Sequence, residues 1–536
     1  MSVTADSFPR PGPIATRSRP RWLLLLPLLA LVGLPLLMLV LAWFDPQGET
    51  WDHLSTWLLP RLIGHTALMF VVVGIGVGVI GVGMAWLSAC CEYPGRRWLD
   101  PLLVLPLAFP PYVFAFIYLG LLDYSGPVQS AFRAAFGSSP AWIEALSRPG
   151  AVLLILILAF YPYVYLLARA SFASGGRAAF EAGRSLGVGP FATFFKVSLP
   201  MARPALVAGM TLALMETLAD FGAVSIFGFD TFTTAIYRTW FGLFNLSAAV
   251  QLASILMLFV LVLVLAERFN RNERTMNSEK QPRLHRIQLR GAGAGLAAAG
   301  QLGLILIGVL VPLVQLLIWA WPQLPEVVNG PMLEVIGKTM SLGFMGSVAV
   351  VLGGVLLLAG THKSSRRVML MGEISAMGYA IPGTVLAVAI MLAFTRMDQW
   401  AGSALAGGLL AVTLAYLIRF VRVAWGPLEA VASKIRPEYG EVARSLGVSP
   451  WRRYLRINLP LIWPGLLTAF LLALVEIAKE LPATLMLRPF NWDTLAILIY
   501  ELTAEGQWER AALPSLVLVS LGSIPVILLV RRAIIR

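Results

Sequence analysis

Charge is scarce in this sequence. Asp, Glu, Lys and Arg make up only 13% of its 536 residues, against 58% hydrophobic, whereas about a quarter of a soluble domain is charged. A soluble globular chain is excluded. Cysteine is nearly missing as well. The only two, Cys90 and Cys91, are adjacent at the end of an apolar run, so neither a disulfide framework nor a spaced metal site is available. The four histidines, His53, His65, His285 and His362, are scattered and point to no metal cluster or catalytic base; His65 reads as interfacial. A nucleotide loop is lacking too. Residues 330–339, GPMLEVIGKT, look like one, but six residues separate the glycines, where a P-loop needs four for its amides to wrap phosphates. No catalytic residue, resident metal or cofactor is expected in this chain.

What is present is apolar length. Many runs reach the ~20 residues that cross a bilayer as a helix, and mean hydropathy is +0.78. The expected fold class is an all-α polytopic membrane protein. Residues 1–21 are Pro- and Arg-rich and read as a disordered cytoplasmic N-terminus. The run 22–44 is too long for a signal-peptide core and lacks a cleavage site, so it reads as the first span. Five more centre near 66–90, 100–122, 150–170, 204–228 and 246–266. After a charged linker, 267–297, six follow near 298–321, 339–361, 372–394, 402–421, 464–487 and 511–530. About 12 spans result, six in each of two halves, 22–266 and 298–536.

The net charge of +13 is no nucleic-acid signature, because the basic residues sit in short loops. Arg10, Arg17, Arg19 and Arg21, the pair Arg96/Arg97 and its counterpart Lys363/Arg366/Arg367, the linker, and Arg531/Arg532/Arg536 all fall on one side if both termini are cytoplasmic. That orientation is the expectation.

The halves repeat. Residues 181–206, EAGRSLGVGPFATFFKVSLPMARPAL, return 260 positions later at 441–466 as EVARSLGVSPWRRYLRINLPLIWPGL, with eleven of 26 positions identical. FPPYVFAFIYL from Phe109 matches IPGTVLAVAIML from Ile381, and LALMETLAD (212–220) matches LALVEIAKE (472–480). An even number of spans per half makes the repeat parallel, with a pathway between the halves. The two basic islands read as a docking element used twice. Their Leu-Pro steps and Pro204/Pro464 are expected to end the island and redirect the chain into the next span.

Each island resembles the EAA signature of ABC-importer permeases, E-A-A-x3-G-x9-I-x-L-P. Glu181, Ala182, Gly187, Val197, Leu199 and Pro200 fit it in the first copy, and Glu441, Ala443, Gly447, Ile457, Leu459 and Pro460 in the second. Gly183, Val442 and Val197 depart from it without changing the spacing. The resemblance implies a type I importer permease fold, with each island a short coupling helix docked on an ATPase subunit. It further implies a pair of ATPases holding ATP and Mg, a periplasmic substrate-binding protein, and a site in the bacterial inner membrane. Gly187 and Gly447 would give the turn between two short helices. Segments 216–241 and 479–502 resemble the fused permeases of ferric-iron importers. Related permeases for thiamine, sulfate and polyamines share the layout and stay open as alternatives, as does a secondary transporter without an ATPase.

Carboxylates within spans are costly and default to functional candidates. Glu216/Asp220 and Glu476/Glu480 are i, i+4 pairs on one helix face each. They are expected either to line the pathway or gate and meet a passing ion, or to pair with Lys479, Arg238 or Arg488.

Overall fold

The computed structural model describes residues 21–185, 189–270, 286–327, 332–362, 364–402, 404–436 and 438–534. Among these, ten helices are long and apolar enough to cross a bilayer, and two bent helix pairs bring the crossings to 12 if each pair is one span. Helix is forced on such runs, since hydrocarbon offers no partner to an unpaired amide or carbonyl. Counted with the bent pairs, six crossings fall in each half, the first being Trp22–Phe44.

Three expectations need correction. The spans near 100–122 and 372–394 are not straight. Arg96–Ala108 meets Pro111–Phe136 at 95°, and Arg366–Ala380 meets Gly383–Ala401 at 105°. Both bends fall at the repeated Pro step, where Phe109 and Ile381 are extended (ψ 123 and 121), as a residue before proline prefers. The spans near 204–228 and 464–487 also break, because Leu199–Ala219 and Leu459–Lys479 end one residue before Asp220 and Glu480. Finally, the Leu-Pro steps do not end the islands. Pro190–Thr193 and Pro450–Arg453 run through one π turn each, Phe194–Ser198 and Tyr454–Asn458, straight into those spanning helices, and Pro204 and Pro464 lie inside them.

The π turns have one cause. Leu54–Leu58, Phe194–Ser198, Leu306–Leu310 and Tyr454–Asn458 each stop two residues before a proline: Pro60, Pro200, Pro312 and Pro460. A helical proline donates no amide and crowds the carbonyl four residues back. The preceding turn therefore widens by one residue, and the Leu199 amide donates to the Phe194 carbonyl.

The two halves exchange their first spans. Leu25 and Leu28 share a buried cluster with Leu357, Val421 and Trp425 of the second half. In return, a Cβ on Gly308 would sit 3.0 Å from Pro106 and 3.4 Å from Leu158 of the first half, and the Tyr118 hydroxyl donates to the Ile307 carbonyl. Such interlocking is invisible to a linear reading of 22–266 and 298–536.

The linker re-enters the described residues as a short parallel pairing of Ile287–Gln288 with Cys91–Glu92. Beside it, Glu92 accepts from Arg286 at 3.1 Å and Arg96 at 3.2 Å. Burial alone would raise the Glu92 carboxyl, but these two guanidiniums hold it below its ordinary value. Asp100 takes a two-pronged bond from Arg169 (2.8 and 2.6 Å) and one from the Tyr165 hydroxyl. Burial pushes the Cys91 thiol up to about 12, so it stays protonated and inert.

Candidate functional site

All four candidate carboxylates line one cavity of about 230 Å³ between the halves. Helix Leu199–Ala219 brings Glu216 to it and Leu459–Lys479 brings Glu476 and Lys479; Asp220 and Glu480 stand at the helix breaks just beyond. The first bent pair adds Pro110, Pro111 and Tyr112 to the wall.

Within each i, i+4 pair the two acids do different work. Glu480 is 6% exposed. Its oxygens accept from the Ala483 and Thr484 amides at 2.9 Å and the Thr484 hydroxyl at 2.6 Å. It thereby caps the short helix Pro482–Leu487, where amides point outward without intrahelical partners. Asp220 is 9% exposed and accepts from the Val224 amide at 3.0 Å, which caps Gly222–Ile226. Glu216 and Glu476 are instead half-buried cavity residues. Glu216 accepts from the Tyr379 hydroxyl at 2.7 Å, and Glu476 stands 4.0 Å from Lys479 Nζ.

Of the cations expected to pair with these acids, only Lys479 does. Arg238 is bound to Asp230 at 2.6 Å, and Arg488 to Glu501 at 2.9 Å and to Asp493. His65, expected at an interface, stacks on Phe229 and is 3.0 Å from the Asp230 carbonyl. The structure also adds Arg419, which lines the cavity 3.9 Å from Glu480. Its signal was in the sequence: an arginine inside the apolar stretch LLAVTLAYLIRFV is a functional candidate by the same rule as the acids.

The islands form a second pair of features. In the first copy Glu181 and Ala182 lie on helix Val152–Ser185, Gly187 falls outside the described residues, and Leu199 and Pro200 open the next helix. In the second, Glu441 and Ala443 lie on Glu438–Ser445, with Glu441 exposed and Ala443 3% exposed. Gly447 has φ +68, and the Val448 amide donates back to the Ala443 carbonyl at 3.0 Å. This is a glycine helix stop, whose left-handed residue glycine adopts at least cost. Leu459 and Pro460 follow the π turn. Tyr439, Val442, Leu446 and Trp451 are exposed, Leu446 by 74%. A short polar loop with such an apolar face has the make-up of an interaction surface. The P-loop look-alike is plain helix at residues 332–339, where Lys338 meets Glu334 at 2.6 Å.

Residues 78–274 and 349–530 match the family described as binding-protein-dependent transport system inner membrane component. The chain belongs to this family. It is an ABC-importer permease with the family domain present twice, a multi-pass protein of the inner membrane and a transport component. Membership implies an ATPase and a periplasmic binding protein as partners. Over 536 residues the permease is 27% identical to the Fe(3+)-transport system permease protein FbpB 2 of Haemophilus influenzae, covering 96% of this chain and 99% of that protein. It is 32% identical over 147 residues to the molybdenum transport system permease protein ModB of Escherichia coli K12, covering 27% of this chain and 62% of that protein. Over 202 residues it is 30% identical to the sulfate transport system permease protein CysT of Salmonella typhimurium, covering 38% of this chain and 68% of that protein.

Proposed function

We propose that this permease carries ferric iron, delivered by a periplasmic binding protein, through the cavity between its halves. A pair of ABC ATPase subunits, which hold the ATP and Mg, drives it from the cytoplasmic side, where both termini lie. The observation that carries the reading is the end-to-end likeness to a protein named for Fe(3+) transport, 99% of which is covered. Glu216 and Glu476 support it chemically, since hard, highly charged ions favour oxygen ligands. The likeness to proteins named for molybdenum and sulfate transport covers only 27% and 38% of this chain.

In this reading Glu181, Ala182, Gly187, Leu199 and Pro200, with Glu441, Ala443, Gly447, Leu459 and Pro460, couple ATPase closure to the helix bundles. The continuous run from Pro450–Arg453 to Leu459–Lys479 gives the coupling a mechanical route, because a push on the island moves the helix that carries Glu476. Glu216 and Glu476 contact the cargo, while Asp220 and Glu480 hold the helix breaks that shape the gate. The test is ATP-dependent uptake of ferric iron by proteoliposomes holding the permease and its ATPase, supplied with the loaded binding protein. Iron accumulation that needs ATP is expected; ATP-driven uptake of another solute with none of iron would replace the cargo and keep the machine.

A further inference from the structure

We infer that Arg419 and Lys479 form an anion subsite in the cavity, so that the metal crosses with an oxyanion or carboxylate ligand still attached. The inference rests on the ferric reading for the metal, but not for the anion.

The cavity's charges differ in symmetry. The carboxylates come as repeat-related pairs, Glu216 with Glu476 and Asp220 with Glu480. The cations do not. The repeat partner of Lys479 is Ala219, and the first-half helix Val152–Ser185 lines the cavity with Ala159, Phe160 and Tyr163. Both cavity cations therefore belong to the second half.

Neither cation is neutralised by a hydrogen-bonded acid among the described residues. Glu480 lies 3.9 Å from Arg419 Nη1, beyond hydrogen-bond length, and its oxygens are committed to the amides of Ala483 and Thr484 and the Thr484 hydroxyl. Arg419 Nε and Nη1 are buried without a hydrogen-bond partner. Lys479 Nζ donates to the Leu107 carbonyl at 3.3 Å and stays 4.0 Å from Glu476. The position of Arg419 also depends on Gly383, where a Cβ would stand 2.5 Å from Nη1. The glycine lets the guanidinium lie against the first turn of Gly383–Ala401, the end of a helix that already favours negative charge. A cation there has the wrong sign for the helix and the right one for a bound anion.

The cavity holds four acids and two cations, but Asp220 and Glu480 spend oxygens on their capped helices, which leaves Glu216, Glu476, Arg419 and Lys479 as the groups that can turn to a cargo. Such a set suits a cargo of both signs, its acids toward the metal and its two cations toward an attached anion. A guanidinium fork with an ammonium beside it matches the planar oxygens of a carboxylate or the oxygens of a phosphate.

The test supplies the proteoliposomes with binding protein loaded with radiolabelled iron together with radiolabelled phosphate, carbonate or citrate in separate arms, which distinguishes an inorganic from an organic source. The wild type is expected to accumulate iron and one labelled anion at a constant ratio. Arg419→Gln and Lys479→Gln should each lower both labels about tenfold, the effect of one lost charged contact. Arg419→Lys should recover part of this, which loss of a merely structural contact would not allow. Iron uptake by the wild type without any labelled anion overturns the inference, and so does co-uptake that ignores both cation substitutions. An anion that enters without iron and depends on Arg419 would keep the subsite and reject the ferric reading, whereas entry of neither label would reject both.

Discussion

In the second half the cavity wall carries Arg419 and Lys479, while in the first half the main cationic groups, Arg96 and Arg169, gather around Asp100. Among the described residues the second half has no such cluster at the matching position. The repeat partner of Asp100 is Gly372, packed against Thr361 and Trp425, and that of Tyr165 is Trp425 itself. What the halves share is mechanical: the π turn before Leu-Pro, the bend after residue 108 or 380, and the capped break at Asp220 or Glu480. What differs is the placing of cations, which line the cavity in the second half, while in the first Arg96 and Arg286 meet at Glu92 and tie down the linker. The duplicated scaffold thus transmits motion alike on both sides and gives each half a cavity acid, while the cavity cations and the linker anchor are divided between them.

That division can be broken at graded cost. The largest effect is expected at the shared coupling surface. Leu446→Glu or Val442→Glu should lower ATP-driven uptake about 100-fold, the loss of a central contact of two to three kcal/mol, and Leu186→Glu, the repeat partner, should match it. Unequal losses in a side-by-side uptake assay would show that the halves do not couple alike. Next, Asp100→Asn leaves Arg169 and Arg96 with weakened pairing. Breaking a buried ion pair costs ~3 kcal/mol, reduced here because Arg169 is 32% exposed. A drop of about 2 kcal/mol in unfolding free energy in detergent is expected, with Gly372→Asn giving no comparable ionic effect on which salt acts.

Smaller effects separate the caps. Glu480→Ala strips three hydrogen bonds and should cost about 1–3 kcal/mol, more than Asp220→Ala, by thermal unfolding of the purified permease. Equal shifts would contradict the unequal capping. Gly447→Ala should cost about 1 kcal/mol; its Cβ has open space, so the penalty comes from the positive φ and not from a clash. The smallest effect is on pH. The Glu92 pairing is complete above the ordinary carboxylate value of 4.5 and is lost as pH falls through its lower folded value, so amide exchange at residues 287–289 should rise only under acid, and a rise near neutral pH would refute the pairing.

Much of this was legible in sequence because membrane chains obey few rules. Apolar length gave the spans and duplicated spacing gave the islands and the paired acids. The helix breaks were not, although the proline steps at Phe109-Pro110 and Ile381-Pro382 marked two of them, because apolar runs on both sides read as one span. Leu-Pro was expected to stop a helix, yet with one spare residue the turn widens and the helix continues. That Asp220 and Glu480 cap while Glu216 and Glu476 face the cavity depends on where the chain breaks, which i, i+4 spacing does not encode. The exchange of first spans is a long-range packing result with no local signature.

The most direct measurement reverses charge at the cavity. In proteoliposomes with the ATPase and the loaded binding protein, Glu216→Lys and Glu476→Lys should each reduce ATP-driven uptake to background while ATP hydrolysis stimulated by the binding protein continues. Uptake left intact by both substitutions would mean that the cargo does not pass through the cavity between the halves.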